Sequence, residues 1–339
     1  MKNNMVKKLL TLALAGAMTL SLAACGSKSD DSSNDAQQGG DESGKTYKVA
    51  IIKQLDHASL DEIANAVAAE LDKIAADNNV TIEYDITSGQ NDQTILKQLS
   101  DQAIADQVDA IIPIATTAAQ ISALSAEDTK TPVVYAAVSD PEAASLTGID
   151  YVTGTSDALP VEAQLKLIRA LMPDATKIGI LHTTSETNSD ATLALYKELA
   201  PNYGFEIIDK GISTGADLPM ALDALLPQVD CTTNLTDNTV VSYLAVVLEK
   251  SEEYGKPVFG SEIEQVINGC VASEGIEYTE LGRQTGRMAA RVLRGESAED
   301  IPYETISNSY LYVNPDALAA YGLTVPAELS ERAIDVTAK

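Results

Sequence analysis

The sequence predicts an α/β protein built from two similar Rossmann-like lobes with parallel sheets, joined by a hinge that the chain crosses more than once. Three observations carry this. From Thr46 onward short β-rich runs alternate with longer helical patterns, the sign of βαβ units. The same order of runs returns roughly 120 to 130 residues later, as in a duplicated fold. With 13 Tyr, 2 Phe and no Trp, the core is left to Ala, Leu, Ile and Val, the usual filling of layered α/β proteins.

The first set of strands runs through Tyr47–Ile52, Thr81–Ile86, Val108–Ile114, Pro132–Tyr135 and Thr147–Val152. The second runs through Lys177–Leu181, Glu206–Ile208, Val229–Thr233, Pro257–Gly260 and Asn268–Ser273. Val108-Asp109 matches Val229-Asp230, and Pro132-Val133 matches Pro257-Val258. The lobes join near residues 152–158, and their interface is the natural ligand site. A last long helix, Leu281 to Leu293, has no third lobe to join and packs most economically on the first. The expected division is residues 46–154 plus about 275–303 for the N-terminal lobe, and 155–274 plus about 304–339 for the C-terminal lobe. On the opposite face of that helix, Arg283, Arg287 and Arg291 read as a solvated stripe.

Ahead of the lobes, Lys2, Lys7 and Lys8 precede an apolar run from Leu9 to Leu22 that is too short for a membrane span and ends in Leu22-Ala23-Ala24-Cys25. Residues 1–24 therefore read as a signal peptide. Residues 25–45 hold few apolar side chains and read as an acidic tether, with a reach of about 25 Å as a flexible coil. Within it, Gly39 to Thr46 matches the phosphate-loop pattern, but no strand precedes it and Asp41 and Glu42 would repel phosphate.

Composition excludes several functions. The 339 residues carry 50 acidic and 23 basic side chains, a net charge of −27, which disfavours nucleic acid and anionic lipid surfaces as partners. Two histidines, His57 and His182, leave little for a metal centre or a nucleophilic triad. No enzyme, metal or cofactor signature emerges. Cys231 and Cys270 fall in strands, where free cysteines behave as small hydrophobes. The strand starting at Pro257 lies between theirs, too wide a gap for a disulfide.

What remains is a set of hydroxyl-rich loops at the C-terminal ends of the strands, where open α/β sheets bind ligands. They supply Ser59, Thr116, Thr117, Ser139 and Asp140 from the first lobe, and Thr184, Ser185, Asp237, Asn238 and Glu274 from the second, as ligand-binding candidates. Each also suits an ordinary helix cap; their convergence on one cleft favours binding. Thr116 and Thr117 open a helix where a carboxylate could sit, and Asp237 suits an ammonium, with Asp140 and Glu274 next in line.

Several stretches resemble a known family: Ala115-Thr116-Thr117-Ala118-Ala119-Gln120, Val134 to Pro141, Thr153-Gly154-Thr155-Ser156-Asp157, Thr236 to Val240, and Gly275 to Thr285. Together with the Leu-Ala-Ala-Cys motif, which resembles a lipobox, they are similar to ABC-transporter substrate-binding lipoproteins of the tryptophan/tyrosine type, with the type I periplasmic-binding-protein fold. The resemblance spans nearly all of residues 46–325. It implies lipidation of Cys25, a cell-membrane location on the extracytoplasmic face, and a monomer held to the membrane through its lipid alone. It also implies capture of a small solute of the amino-acid class, aromatic ones included, for an ABC permease with its ATPase. Thr117 departs from the family pattern, which more often has proline there. Tyr135 and Tyr151 are the stacking candidates for an aromatic ligand. A surface-anchored ligand sensor and a cleft enzyme are the alternatives.

Overall fold

The computed structural model describes residues 44–306 and 308–338. The expected signal peptide, Cys25 and the tether up to residue 43 lie outside the described residues. From Thr46 the chain runs β1 (Thr46–Lys53), α1 (Ala58–Asn78), β2 (Thr81–Ser88), α2 (Gln93–Ala105), β3 (Ala110–Ile114), α3 (Thr116–Ser125), β4 (Val133–Tyr135) and β5 (Val152–Ser156). It continues through α4 (Val161–Leu171), β6 (Lys177–Thr183), α5 (Thr187–Leu199), β7 (Glu206–Ile212), α6 (Leu218–Leu225), β8 (Cys231–Thr233), α7 (Asn238–Ser242), α8 (Leu244–Glu253), β9 (Val258–Phe259) and α9 (Ile263–Ile267). The last part holds β10 (Ala272–Ile276), α10 (Tyr278–Leu293), β11 (Glu304–Thr305), β12 (Ser309–Val313), α11 (Pro315–Ala320), α12 (Ala327–Ser330) and β13 (Ala333–Asp335).

The first sheet has the order β11-β5-β4-β3-β1-β2 and the second β7-β6-β8-β9, all pairs parallel. A small sheet, β10-β12-β13, is mixed and adjoins β9 through the Gly260 N–H to Ala272 C=O bond at 3.0 Å. Strand β3, AIIPI, is buried on both faces, as an apolar run in a parallel sheet must be. Both sheets end in the same kind of loop, so two sets of strand ends face one another.

Two predicted strands move. Thr147–Val152 forms turns instead, and the strand is Val152–Ser156. Its polar sequence hides its burial: the Thr153 hydroxyl donates to Ile301 C=O at 2.6 Å and Thr155 pairs with Thr285 at 2.7 Å. Gly154 permits the close pairing, because a Cβ there would stand 2.1 Å from the Tyr135 oxygen. Asn268–Ser273 likewise gives way to β10, which begins at Ala272.

Helix α10 packs on α1 of the first lobe. Gly282 allows the approach, since a Cβ there would lie 2.6 Å from the Ile63 oxygen and the Ala66 methyl. The arginine stripe faces solvent, with Arg287 paired to Glu280 at 2.6 Å and Arg283 half-exposed beside it. The chain passes between lobes after β5, between β10 and α10, and after β11, which makes the hinge. Strand pairing carries the first lobe slightly further than expected: β11 pairs with Thr155 and Ser156 of β5. Cys231 and Cys270 are buried free thiols, which burial pushes well above the usual thiol range. Among the described residues no helix is long and apolar enough to cross a membrane.

Candidate functional site

The two sets of strand ends meet. Asn91 Nδ2 donates to Thr239 Oγ1 at 3.1 Å, His57 Nε2 lies 3.4 Å from Asn238 Oδ1, Ser59 Oγ donates to Glu262 Oε1 at 3.1 Å, and the Ser139 and Thr236 hydroxyls are 3.1 Å apart. These contacts draw the lobes together over a small cavity between them. Its first-lobe wall is His57, Ser59, Leu60, Ala115, Thr116, Ala137, Ser139 and Asp157; its second-lobe wall is Asn188, Thr236, Asn238, Val241, Glu262 and Gln265, with Tyr278 from the hinge.

The strand order sets the positions. Thr116 opens α3 directly after β3, and its cap, Ala115, has no polar side chain to accept from the helix start. Ala115 is held at φ +79° by its N–H bond to Ala136 C=O, 3.0 Å, an arrangement strained for a residue with a Cβ. The Thr116 hydroxyl is buried without a partner. Asp157, just past β5, accepts from the Ser139 hydroxyl at 2.9 Å and the Tyr278 hydroxyl at 3.0 Å. Burial raises its carboxyl above the usual range, and burial also lifts the Tyr278 phenol, aided by the Asp157 charge.

On the other side, Glu262 caps α9, taking Glu264 N–H at 2.6 Å and Gln265 N–H at 3.1 Å. Burial pushes its carboxyl up to about 7. Burial lowers the His57 imidazole, leaving it neutral. Among the described residues lining the cavity there is no lysine or arginine, so two buried carboxylates stand with no cation from the protein. In a low dielectric such groups call for a positive or donating partner.

Of the ten predicted binding residues, the structure brings Ser59, Thr116, Ser139 and Asn238 to this cavity. Thr117 turns away: its N–H donates to Gln54 Oε1 at 3.2 Å, and with Ser185 it lines a separate interlobe groove. Thr184 is exposed and donates to Ile212 C=O at 3.3 Å. Asp140 caps its own turn, accepting from Glu142 and Ala143 N–H at 3.1 and 2.9 Å. Glu274 is buried against Arg332, whose Nη1 lies 3.1 Å from its Oε2. Asp237 is fully buried and accepts from Thr183 N–H, Thr183 Oγ1, Ser189 Oγ and Val240 N–H at 2.6 to 2.9 Å, which leaves no lone pair for a ligand ammonium. Tyr135 and Tyr151 sit in the first-lobe core, where the Tyr151 hydroxyl donates to Ala123 C=O at 3.0 Å. Neither faces the cavity.

The residues not singled out are His57, Asp157, Asn188, Thr236, Glu262, Gln265 and Tyr278. Their signal was present in part. Asp157, Thr236 and Tyr278 sit inside stretches quoted above for the family resemblance.

Known proteins match along most of the chain. A family model described as ABC transporter substrate binding protein matches residues 48–337. A curated relative named tyrosine-binding protein, from Clostridioides difficile, is 31% identical over 319 residues, covering 93% of this chain and 92% of its own. Among solved structures, an ABC domain in complex with L-Trp from Streptococcus pneumoniae superposes with a TM-score of 0.80 at 28% identity, covering 86% of this chain and all of that one. A ligand-free, open substrate-binding protein with adhesive properties from Clostridium difficile reaches 0.64 at 31% identity, covering 85% of this chain and 99% of that one. The bound structure thus fits this closed form better, although its sequence is the less similar. With paired parallel-sheet lobes, a cavity between them and a model matched from residue 48 to 337, the chain belongs to the ABC transporter substrate-binding protein family, has the type I periplasmic-binding-protein fold and is a binding protein rather than an enzyme.

Proposed function

We propose that this protein captures an amino acid, with tyrosine and tryptophan as its ligands, and delivers it to an ABC permease. The observation that carries the reading is the pairing, in one cavity, of a helix start whose cap residue, Ala115, brings no side-chain acceptor with a buried carboxylate that lacks a cation. The start of α3 and the orphaned Thr116 hydroxyl suit the ligand carboxylate. Asp157 suits the ammonium, and Asn188 Oδ1, a buried acceptor without a partner, adds a second lone pair on the second-lobe wall. The names of the relatives, one tyrosine-binding and one holding L-Trp, support the aromatic choice. Closure draws its driving force from contacts that both lobes make with the same ligand.

Cys25 carries a lipid in this reading, and the tether holds the lobes on the extracytoplasmic face of the cell membrane. Support comes from the Leu22-Ala23-Ala24-Cys25 pattern alone. Calorimetric titration with the twenty amino acids tests the ligand: binding of tyrosine and tryptophan is expected, and silence with every amino acid would overturn the proposal. Membrane partitioning of Cys25→Ala tests the anchor, with loss of the membrane fraction expected.

A further inference from the structure

We infer that Glu262, with His57 beside it, reads the tip of the ligand side chain and selects amino acids whose side chain ends in a hydrogen-bond donor. The inference rests on the amino-acid reading above and adds the residues that set its specificity.

The first sheet orders the cavity floor. In the series β5-β4-β3-β1, Asp157 follows β5, Thr116 follows β3 and Ser59 follows β1. Asp157 and Ser59 therefore lie on opposite flanks of Thr116, about 14 Å apart at three strand spacings. Glu262 reaches from the second lobe to the β1 flank, where it accepts the Ser59 hydroxyl at 3.1 Å. A ligand with its carboxylate at Thr116 and its ammonium at Asp157 sends its side chain towards Ser59 and Glu262, past the apolar Leu60 and Val241.

That flank has spare acceptors. The Glu262 carboxylate receives Ser59 Oγ–H, Gln265 N–H and Glu264 N–H. Those three occupy all but one of its roughly four lone-pair sites. His57 adds another open acceptor, and its tautomer follows from its neighbours. Asn238 Nδ2 donates to Glu186 Oε2 at 2.9 Å, which turns Asn238 Oδ1 towards the ring. An amide oxygen only accepts, so His57 Nε2 carries the proton and Nδ1 is a bare lone pair. That Nδ1 is buried with no partner. Nearby Gln265 is already engaged, donating to Ser261 Oγ at 2.7 Å and accepting from Asn234 at 3.0 Å. A buried carboxylate and a buried imidazole nitrogen, each with an open lone pair, are matched by a phenol O–H or an indole N–H. A phenyl ring leaves both unsatisfied.

Calorimetry at pH 8, where the Glu262 carboxyl is ionised, compares tyrosine and tryptophan with phenylalanine on the full chain. Loss of a hydrogen bond to a charged acceptor corresponds to about 10- to 150-fold, so tyrosine and tryptophan should bind more tightly than phenylalanine by that factor. Glu262→Gln should weaken tyrosine about tenfold while changing phenylalanine less than threefold. His57→Ala, which leaves the cap of α9 untouched, should narrow the same ratio and serves if Glu262→Gln does not fold. Equal wild-type affinity for phenylalanine and tyrosine overturns the inference and leaves the amino-acid reading standing; no binding by any amino acid overturns both. An unchanged ratio in a folded variant removes that residue from the role.

Discussion

Asp237 accepts two hydrogen bonds from Thr183, from its backbone N–H at 2.6 Å and from its hydroxyl at 2.8 Å. The pair pins the end of β6 to the start of α7, which Asp237 also caps through Val240 N–H at 2.9 Å. This carboxylate holds the second-lobe wall together and does not itself line the cavity. Asp237→Ala leaves two N–H groups and two hydroxyls of the interior short of an acceptor, each worth about 1–3 kcal/mol when orphaned. A loss of several kcal/mol is expected, seen as a marked fall in the melting temperature of the ligand-free protein. A variant melting like wild type would remove Asp237 from this structural role.

The reverse pattern is expected for Asp157→Asn. Removing one partner of a desolvated charge pair costs about 2–5 kcal/mol, or roughly 30- to several-thousand-fold in affinity. Ligand-free stability should hold or rise, because burial already disfavours the ionised carboxyl. Titration calorimetry and thermal melting on the same sample separate the two effects. Wild-type affinity in the variant would place the ammonium elsewhere.

Strand order and loop position were legible in the sequence because inner parallel strands are apolar runs, and β1, β3 and β6 stand where those runs are, while the edge strand β2 shows an alternating pattern instead. Strand β5 was misplaced because its burial rests on satisfied hydroxyls rather than on apolar side chains. The same blind spot governs the site. Asp237 and Asp157 have the same chemistry and both follow a strand. Only the donors around them, four from the protein at Asp237 and two at Asp157, decide which one is free for a ligand. Such donors come from residues distant in sequence, such as Ser189 and Tyr278, that local patterns do not bring together.

The closed state is held in part by a chain of side chains across the lobes. Gln54 Nε2 donates to Asn91 Oδ1 at 3.0 Å, Asn91 Nδ2 to Thr239 Oγ1 at 3.1 Å, and the Thr239 hydroxyl to Glu186 Oε1 at 3.0 Å. Asn91→Ala removes one of the links between the lobes without touching the cavity wall. It should shift the ligand-free protein towards the open form, seen as a larger radius of gyration in solution scattering, with ligand affinity reduced about two- to tenfold for one hydrogen bond of about 0.5–1.5 kcal/mol. Unchanged scattering and affinity would mean that this chain does not hold the lobes.

Glu262 also predicts a pH dependence whose sign follows from its burial. Its carboxyl sits at about 7 in the folded chain against an ordinary 4.5, so between those values the folded state holds a proton that the unfolded state has lost. Stability from this group is therefore greatest below about pH 4.5 and declines as pH rises towards 7, by an amount on the order of 3 kcal/mol across the window. Other carboxyls move either way: burial raises Asp157 and Glu186, while backbone N–H donors lower Asp92 and Asp217. The comparison with Glu262→Gln cancels those shared contributions, because glutamine does not titrate. Urea unfolding of both proteins from pH 4.5 to 8 should show wild type losing ground steadily to the variant up to about pH 7 and then running parallel to it. A stability difference that stays flat across the window would mean that the Glu262 carboxyl is hydrated and that the lobes do not close over it.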